Sequence, residues 1–175
     1  MFVGEEVFHH GYIINVVKGT FIAPSGEQFD RDIVRHPGAV GVVPLHDDGT
    51  ITLVRQFRPA LGEYLLELPA GKLDIAGEDP QKAAERELAE EVGLSAGQIT
   101  YLCRIANSPG FADEVSWIYL ARDLSSTPLD RHGIEEEFLS EVRIHIDDII
   151  PMIASGEIKN SIAVAGLLMT RELLR

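Results

Sequence analysis

The side chains with the clearest chemical potential lie between Gly71 and Leu94, where Glu78, Arg86, Glu87, Glu90 and Glu91 are spaced along one segment. Each helical residue turns about 100°, so with Glu87 at the origin Glu90 falls near ~300° and Glu91 near ~40°. Three carboxylates therefore share one face. Leu88 and Val92 point away from it and can anchor the helix to a core. Like charges at this spacing destabilise a helix, and Arg86, four residues before Glu90, can offset part of that repulsion. One reading is a plain solvated face, common in runs such as AAERELAEEVGL. The other is that the carboxylates hold hard divalent cations, Mg²⁺ or Mn²⁺, through oxygen ligands.

These side chains need a scaffold. Residues 80–92 read as a helix with Asp79 as N-cap, Pro80 at the first helical position and Gly93 as its end. Upstream, residues 64–68 read as a short strand stopped by Pro69. Strand, Gly-bearing loop and acidic helix thus follow in order, which could bring a backbone carbonyl near Ala70 to the helix carboxylates. Residues 11–23 and 28–36 read as antiparallel strands around the Pro24-Ser25-Gly26 turn. The apolar run 39–45 reads as a buried strand, and Asp47-Asp48-Gly49 turns the chain into a strand at 51–56. Further strands are expected near 99–106, 115–121 and 141–146, and helices near 147–154 and 161–174. Runs of strands with one helix between them and two at the end predict an α+β fold, a mixed sheet packed between helices.

Length and charge narrow the classes. A chain of 175 residues suits one domain with a real core. No apolar run approaches the roughly 20 residues needed to span a bilayer. The first ten residues contain Glu5 and Glu6 and no basic stretch, so no secretory signal is expected. Cys103 is the only cysteine, which fits a reducing cytoplasm. A net charge of −13 argues against nucleic-acid binding, so any phosphate-bearing substrate must be met by a few arginines and bound cations.

At residues 71–94 the sequence resembles the Nudix hydrolases, whose box reads G-x5-E-x7-R-E-U-x-E-E-x-G-U with U a bulky aliphatic residue. Gly71, Glu78, Arg86, Glu87, Leu88, Glu90, Glu91, Gly93 and Leu94 match in type. Six residues rather than five separate Gly71 from Glu78, an insertion that should reshape the loop and leave the helix face intact. Segments 31–41, 54–71, 107–114 and 156–166 look like the bacterial ADP-ribose pyrophosphatases. Pro109, fifteen residues after Leu94, falls where that subfamily carries a proline, though Ser108-Pro109-Gly110 is also an ordinary turn.

The resemblance implies a Nudix domain over residues 39–175, preceded by an N-terminal β region over 1–38 that serves dimerisation and substrate contacts. The implied reaction is hydrolysis of ADP-ribose to AMP and ribose 5-phosphate. The implied metal ligands are Glu87, Glu91 and the Ala70 carbonyl, with Glu90 on a second ion or in close support. Arg86 would orient the carboxylates, and Glu78 would be structural or a remote ligand. A glutamate on the loop after the box would activate water: Glu137 aligns best and Glu136 second. Arg58 resembles a diphosphate ligand, and Arg55 could serve too. Arg31 would act on the partner subunit's site in a homodimer. An aromatic stack on adenine is expected from Phe8 or Phe29, each of which could equally be core.

Other features read as ordinary. His9, His10 and His36 lack the partners of a zinc site. Trp117 reads as core, and Ser108 lacks a nucleophile elbow. Three rival functions remain: hydrolysis of another nucleoside diphosphate sugar such as GDP-mannose, non-catalytic sensing of ADP-ribose, and hydrolysis of dNTPs. Retention of all three helix glutamates favours catalysis over sensing.

Overall fold

The computed structural model describes residues 1–131 and 138–175. Its chain divides into two compact units, residues 1–38 with 106–115, and residues 39–105 with 116–175.

The first unit is an antiparallel sheet in the order β1 (Phe2–His10), β2 (Asn15–Ile22), β3 (Gln28–Arg35). Its register places Phe2 opposite Phe21 and Phe21 opposite Phe29, so three rings run across the strands with centroids 5.6 and 5.5 Å apart. Residues 106–115 are stitched to β3: Val34 donates its N–H to the Phe111 carbonyl, Asp113 donates to the Val34 carbonyl, and Asp113 accepts from Arg35 and from the His36 N–H. The sequence reading gave no element to residues 2–10. Almost every residue of β1 is exposed, so its hydrophobic alternation carries no burial signal.

The second unit is the α+β body that the pattern predicts. Its four-stranded sheet has the order β7 (Ala70–Lys72), β4 (Ala39–Pro44), β9 (Val115–Ser126), β8 (Leu94–Ala106). β4 pairs parallel with β9 and antiparallel with β7, so the sheet is mixed. A three-stranded sheet has the order β10 (Ser140–His145), β5 (Thr50–Arg58), β6 (Glu63–Glu67). All six residues of β4 are buried because both of its faces are covered. Val40 and Val42 join Ala83, Ala84, Leu88 and Val92 of helix α1 (Pro80–Val92) in one cluster. Val43 joins Ile149 of α2 (Ile149–Ala154) and Leu167 of α3 (Ser161–Leu173) in another.

Helix α1 has the ends its sequence specifies. Asp79 accepts the Gln81 N–H at 2.9 Å, and Pro80 occupies the first turn. Gly93 stands at φ 59°, a left-handed turn that costs glycine little, and donates back to the Ala89 carbonyl at 3.0 Å. β8 starts at once after that turn, five residues earlier than expected, and β9 runs on to Ser126. A short 3₁₀ turn over Ile146–Asp148 precedes α2.

Candidate active site

The acidic face of α1 meets the strand-loop corner at β7. Glu87 and Glu91 are only 7% and 4% exposed, in contrast to the plain solvated face considered above. Glu91 accepts the Ala70 N–H at 3.0 Å. Gly71 follows directly and lies so close to Glu87 that no side chain fits between them. The corner is held in turn by β4, where Gly41 pairs with Ala70 and Val40 with Gly71.

Arg86 gathers the remaining charges. Its Nε and one Nη donate to the two oxygens of Glu78, both at 3.1 Å. Its other Nη donates to Glu87 at 2.7 Å and Glu90 at 2.9 Å. Glu78, above all through its hydrogen bonds, raises the guanidinium pKa, and Glu87 and Glu90 add to the rise against the effect of burial. One cation thus spans three carboxylates, which offsets the repulsion that the spacing predicts. Among the described residues no group of three His, Cys, Asp or Glu stands ready-made as a metal cage. Arg86 takes one oxygen each of Glu87 and Glu90, and the Ala70 N–H takes an oxygen of Glu91.

The donor set nevertheless fits a hard divalent cation. Glu87, Glu90 and Glu91 offer only oxygen, two of them from nearly buried carboxylates, and Gly71 lets the Glu87 carboxylate pack directly against the β7 corner.

The structure places the other expected residues as follows. Arg58, at the end of β5, forks onto Glu67 of β6 through Nε at 2.8 Å and Nη2 at 2.6 Å. Arg55 lies over the ring of Tyr64, 4.5 Å from its centroid. In the first unit, Arg31 covers the ring of Phe29 at 4.7 Å. Arg31, Phe29 and Pro109 line one cavity of about 330 Å³ together with Phe21, Ile33 and Phe111. Phe8 is exposed and is not among the residues that line it. Glu136 and Glu137 lie outside the described residues.

The plainer expectations have local explanations. His10 pairs with Asn15, His36 accepts the Gly38 N–H, and the Ser108 carbonyl closes a turn with Phe111 and Ala112. Trp117 is half-buried against the α1 cluster, with Arg104 6.0 Å from its ring.

Two residues with positioning contacts had no assigned role in the sequence. Glu67 is one. Arg131 is the other: its Nε and Nη2 donate to the Glu91 carbonyl at 2.9 and 2.7 Å, and its Nη1 donates to the Leu139 carbonyl. It therefore satisfies a carbonyl in the last turn of α1 that the helix itself leaves unpaired. Neither residue belongs to a local motif, and only the fold brings their partners close.

Residues 35–161 match the family model of the NUDIX domain. The chain belongs to the Nudix family. It is similar to the ADP-ribose pyrophosphatase of Bacillus subtilis (strain 168), with 37% identity over 89% of this chain and 84% of that one. It is also similar to the ADP-ribose pyrophosphatase of Mycobacterium tuberculosis, with 39% identity over 95% of this chain and 80% of that one. A crystal structure of an ADP compounds hydrolase superposes with a TM-score of 0.85 at 25% identity, covering 99% of this chain and 93% of that one. The Nudix architecture and hydrolase class inferred from the box therefore hold for this chain.

Proposed function

We propose that this Nudix enzyme hydrolyses ADP-ribose to AMP and ribose 5-phosphate with Mg²⁺ or Mn²⁺. The observation that carries the reading is the contact of α1 with the Ala70-Gly71 corner, where Glu87 and Glu91 are buried and Glu90 shares Arg86 with Glu87. The likeness to two ADP-ribose pyrophosphatases over most of their length supports the substrate.

Glu87, Glu91 and the Ala70 carbonyl would hold the metal, with Glu90 on a second ion or beside the first. A metal held there would supply positive charge to offset that of the diphosphate and to lower the pKa of the attacking water. Arg86, which donates to Glu87 and Glu90, would orient those carboxylates as a supporting partner does. Arg58, and Arg55 near it in sequence, would bind the diphosphate oxygens with forked N–H donors. Glu137, or Glu136, would take the proton from the attacking water, whose oxygen bonds to phosphorus as the bridging phosphate oxygen leaves.

The cavity of about 330 Å³ in the first unit has the size and lining for a nucleobase: aromatic rings, an arginine and Pro109. Arg31 would serve the partner subunit's site in a homodimer. A half-buried free thiol at Cys103, its pKa raised by burial, suits a reducing cytoplasm. No described helix is long and apolar enough to cross a membrane.

The test is chromatographic detection of AMP from ADP-ribose with Mg²⁺, with Mn²⁺ and with EDTA, beside a panel containing GDP-mannose. Metal-dependent AMP release is expected. A wide preference for GDP-mannose in kcat/KM would refute the substrate, and binding without turnover would make the protein a sensor. Light scattering gives the oligomeric state, with a monomer the adverse result.

A further inference from the structure

The ladder between β5 and β6 pairs Val54 with Glu67, Gln56 with Leu65, and Arg58 with Glu63. The carboxylate directly opposite Arg58 is therefore Glu63. Arg58 does not take it. Glu63 binds Lys159 at 2.7 Å, and Arg58 instead runs back along the strands to fork onto Glu67, four ladder positions away. Side chains on one strand face recur every second residue, so Arg58, Gln56 and Val54 share a face with Glu63, Leu65 and Glu67. Arg58 thus lies back along that face toward Glu67.

The direction matters because Glu67 ends β6 and leads into the box. Ala70, whose N–H binds Glu91, is three residues on, so its Cα lies within about 11 Å of that of Glu67. Glu67 draws the guanidinium away from the hairpin's turn, which Arg58 and Glu63 flank, and toward the end of β6 that leads to the candidate metal ligands. A two-bond fork also fixes the plane of the guanidinium, which a single contact does not.

Stability alone does not call for this pair. Glu67 is 2% exposed, and burying a carboxylate carries a desolvation cost that its partner roughly offsets. Apolar residues of similar volume often serve as well or better in such places. Neighbouring Val54 and Leu65 show that this face accepts them.

We propose that Glu67 is a positioning residue, which acts through Arg58 to present a preset guanidinium to the diphosphate of the substrate. The inference rests on Arg58 as the diphosphate ligand, and the experiment separates the two. Steady-state kinetics and melting are measured for wild type, Glu67→Gln, Arg58→Ala and the double variant, using whichever nucleotide sugar is turned over best. Glu67→Gln is expected to raise KM about tenfold with a much smaller change in kcat, the scale of one charge-assisted hydrogen bond. In the Arg58→Ala background the same substitution is expected to change KM little, because the path through Arg58 is already cut.

If Arg58→Ala leaves KM at the wild-type value, the reading of Arg58 fails and takes this inference with it. If Arg58→Ala raises KM while a folded Glu67→Gln variant does not, or if the two effects simply add, Glu67 does not act through Arg58 and only this inference is overturned. Should Glu67→Gln fail to fold, Glu67→Asp keeps the charge and shortens the arm. It is then expected to raise KM, and a wild-type KM in that variant overturns the proposal.

Discussion

A methyl group placed on Gly71 would lie 1.9 Å from Oε1 of Glu87 and 2.0 Å from its Cδ. Glycine is required here for the Glu87 side chain to stand where it does: a Cβ would meet the end of that side chain, a nearly buried carboxylate that Arg86 holds. Gly71→Ala must push Glu87 from its place. Overpacking of this kind costs about 1–3 kcal/mol, and a misplaced ligand of about 1 Å can cost on the order of a hundredfold in rate. The variant is expected to melt lower and lose activity disproportionately. A folded Gly71→Ala enzyme with wild-type kcat would show that Glu87 is not needed where it stands.

Glu91→Gln removes charge and keeps shape. The amide oxygen can still accept the Ala70 N–H, so the corner should survive. Metal stabilisation of transition-state charge is worth several kcal/mol, and kcat should fall on the order of a hundredfold or more. Near-normal turnover alongside a normal melting curve would remove Glu91 from the ligand set.

How much of this was legible beforehand depended on how local the cause is. Asp79, Pro80 and Gly93 delimit α1 by short-range chemistry, and the helix has those ends. The apolar run at β4 announced a strand covered on both faces. The common face of Glu87, Glu90 and Glu91 follows from helix geometry alone. Other features depend on which strands pair, and no local signal carries that. Glu67 meets Arg58 across a ladder, and Arg131 meets the Glu91 carbonyl from forty residues away. Arg31, Phe29 and Pro109 were each singled out separately, but their shared cavity needs residues 106–115 to lie against β3. β1 escaped notice because its pattern reflects no burial in this chain.

The water-activating base is to be found by substitution at Glu136 and Glu137. A positioned general base contributes about 10²–10⁴-fold. Glu137→Gln is expected to lower kcat by at least about a hundredfold and to flatten the acidic limb of the pH–rate profile, while Glu136→Gln has the smaller effect. The reverse order would transfer the role to Glu136, and unchanged kcat in both would exclude this loop as the source of the base.

His46 gives the stability a specific pH dependence. Its Nε2 lies 2.8 Å from Thr52 Oγ1, and the ring is partly buried beside Arg143 in the second unit. Burial first, and the charge of Arg143 second, lower its pKa below the ordinary value of 6.5. Above 6.5 the ring is neutral whether the chain is folded or unfolded, and it makes no pH-dependent contribution. As pH falls from 6.5 toward the depressed folded value, the unfolded chain binds the proton more readily, so stability is lost over that window. Once pH lies below the folded value both states are charged and the loss stops growing. His46→Gln can keep a hydrogen bond to Thr52 and does not titrate. Melting temperatures measured from about pH 8 to about pH 5 should therefore fall less steeply for the variant than for wild type, with the curves diverging below 6.5. Parallel curves throughout would mean that the His46 proton affinity is the same in the folded and unfolded chain.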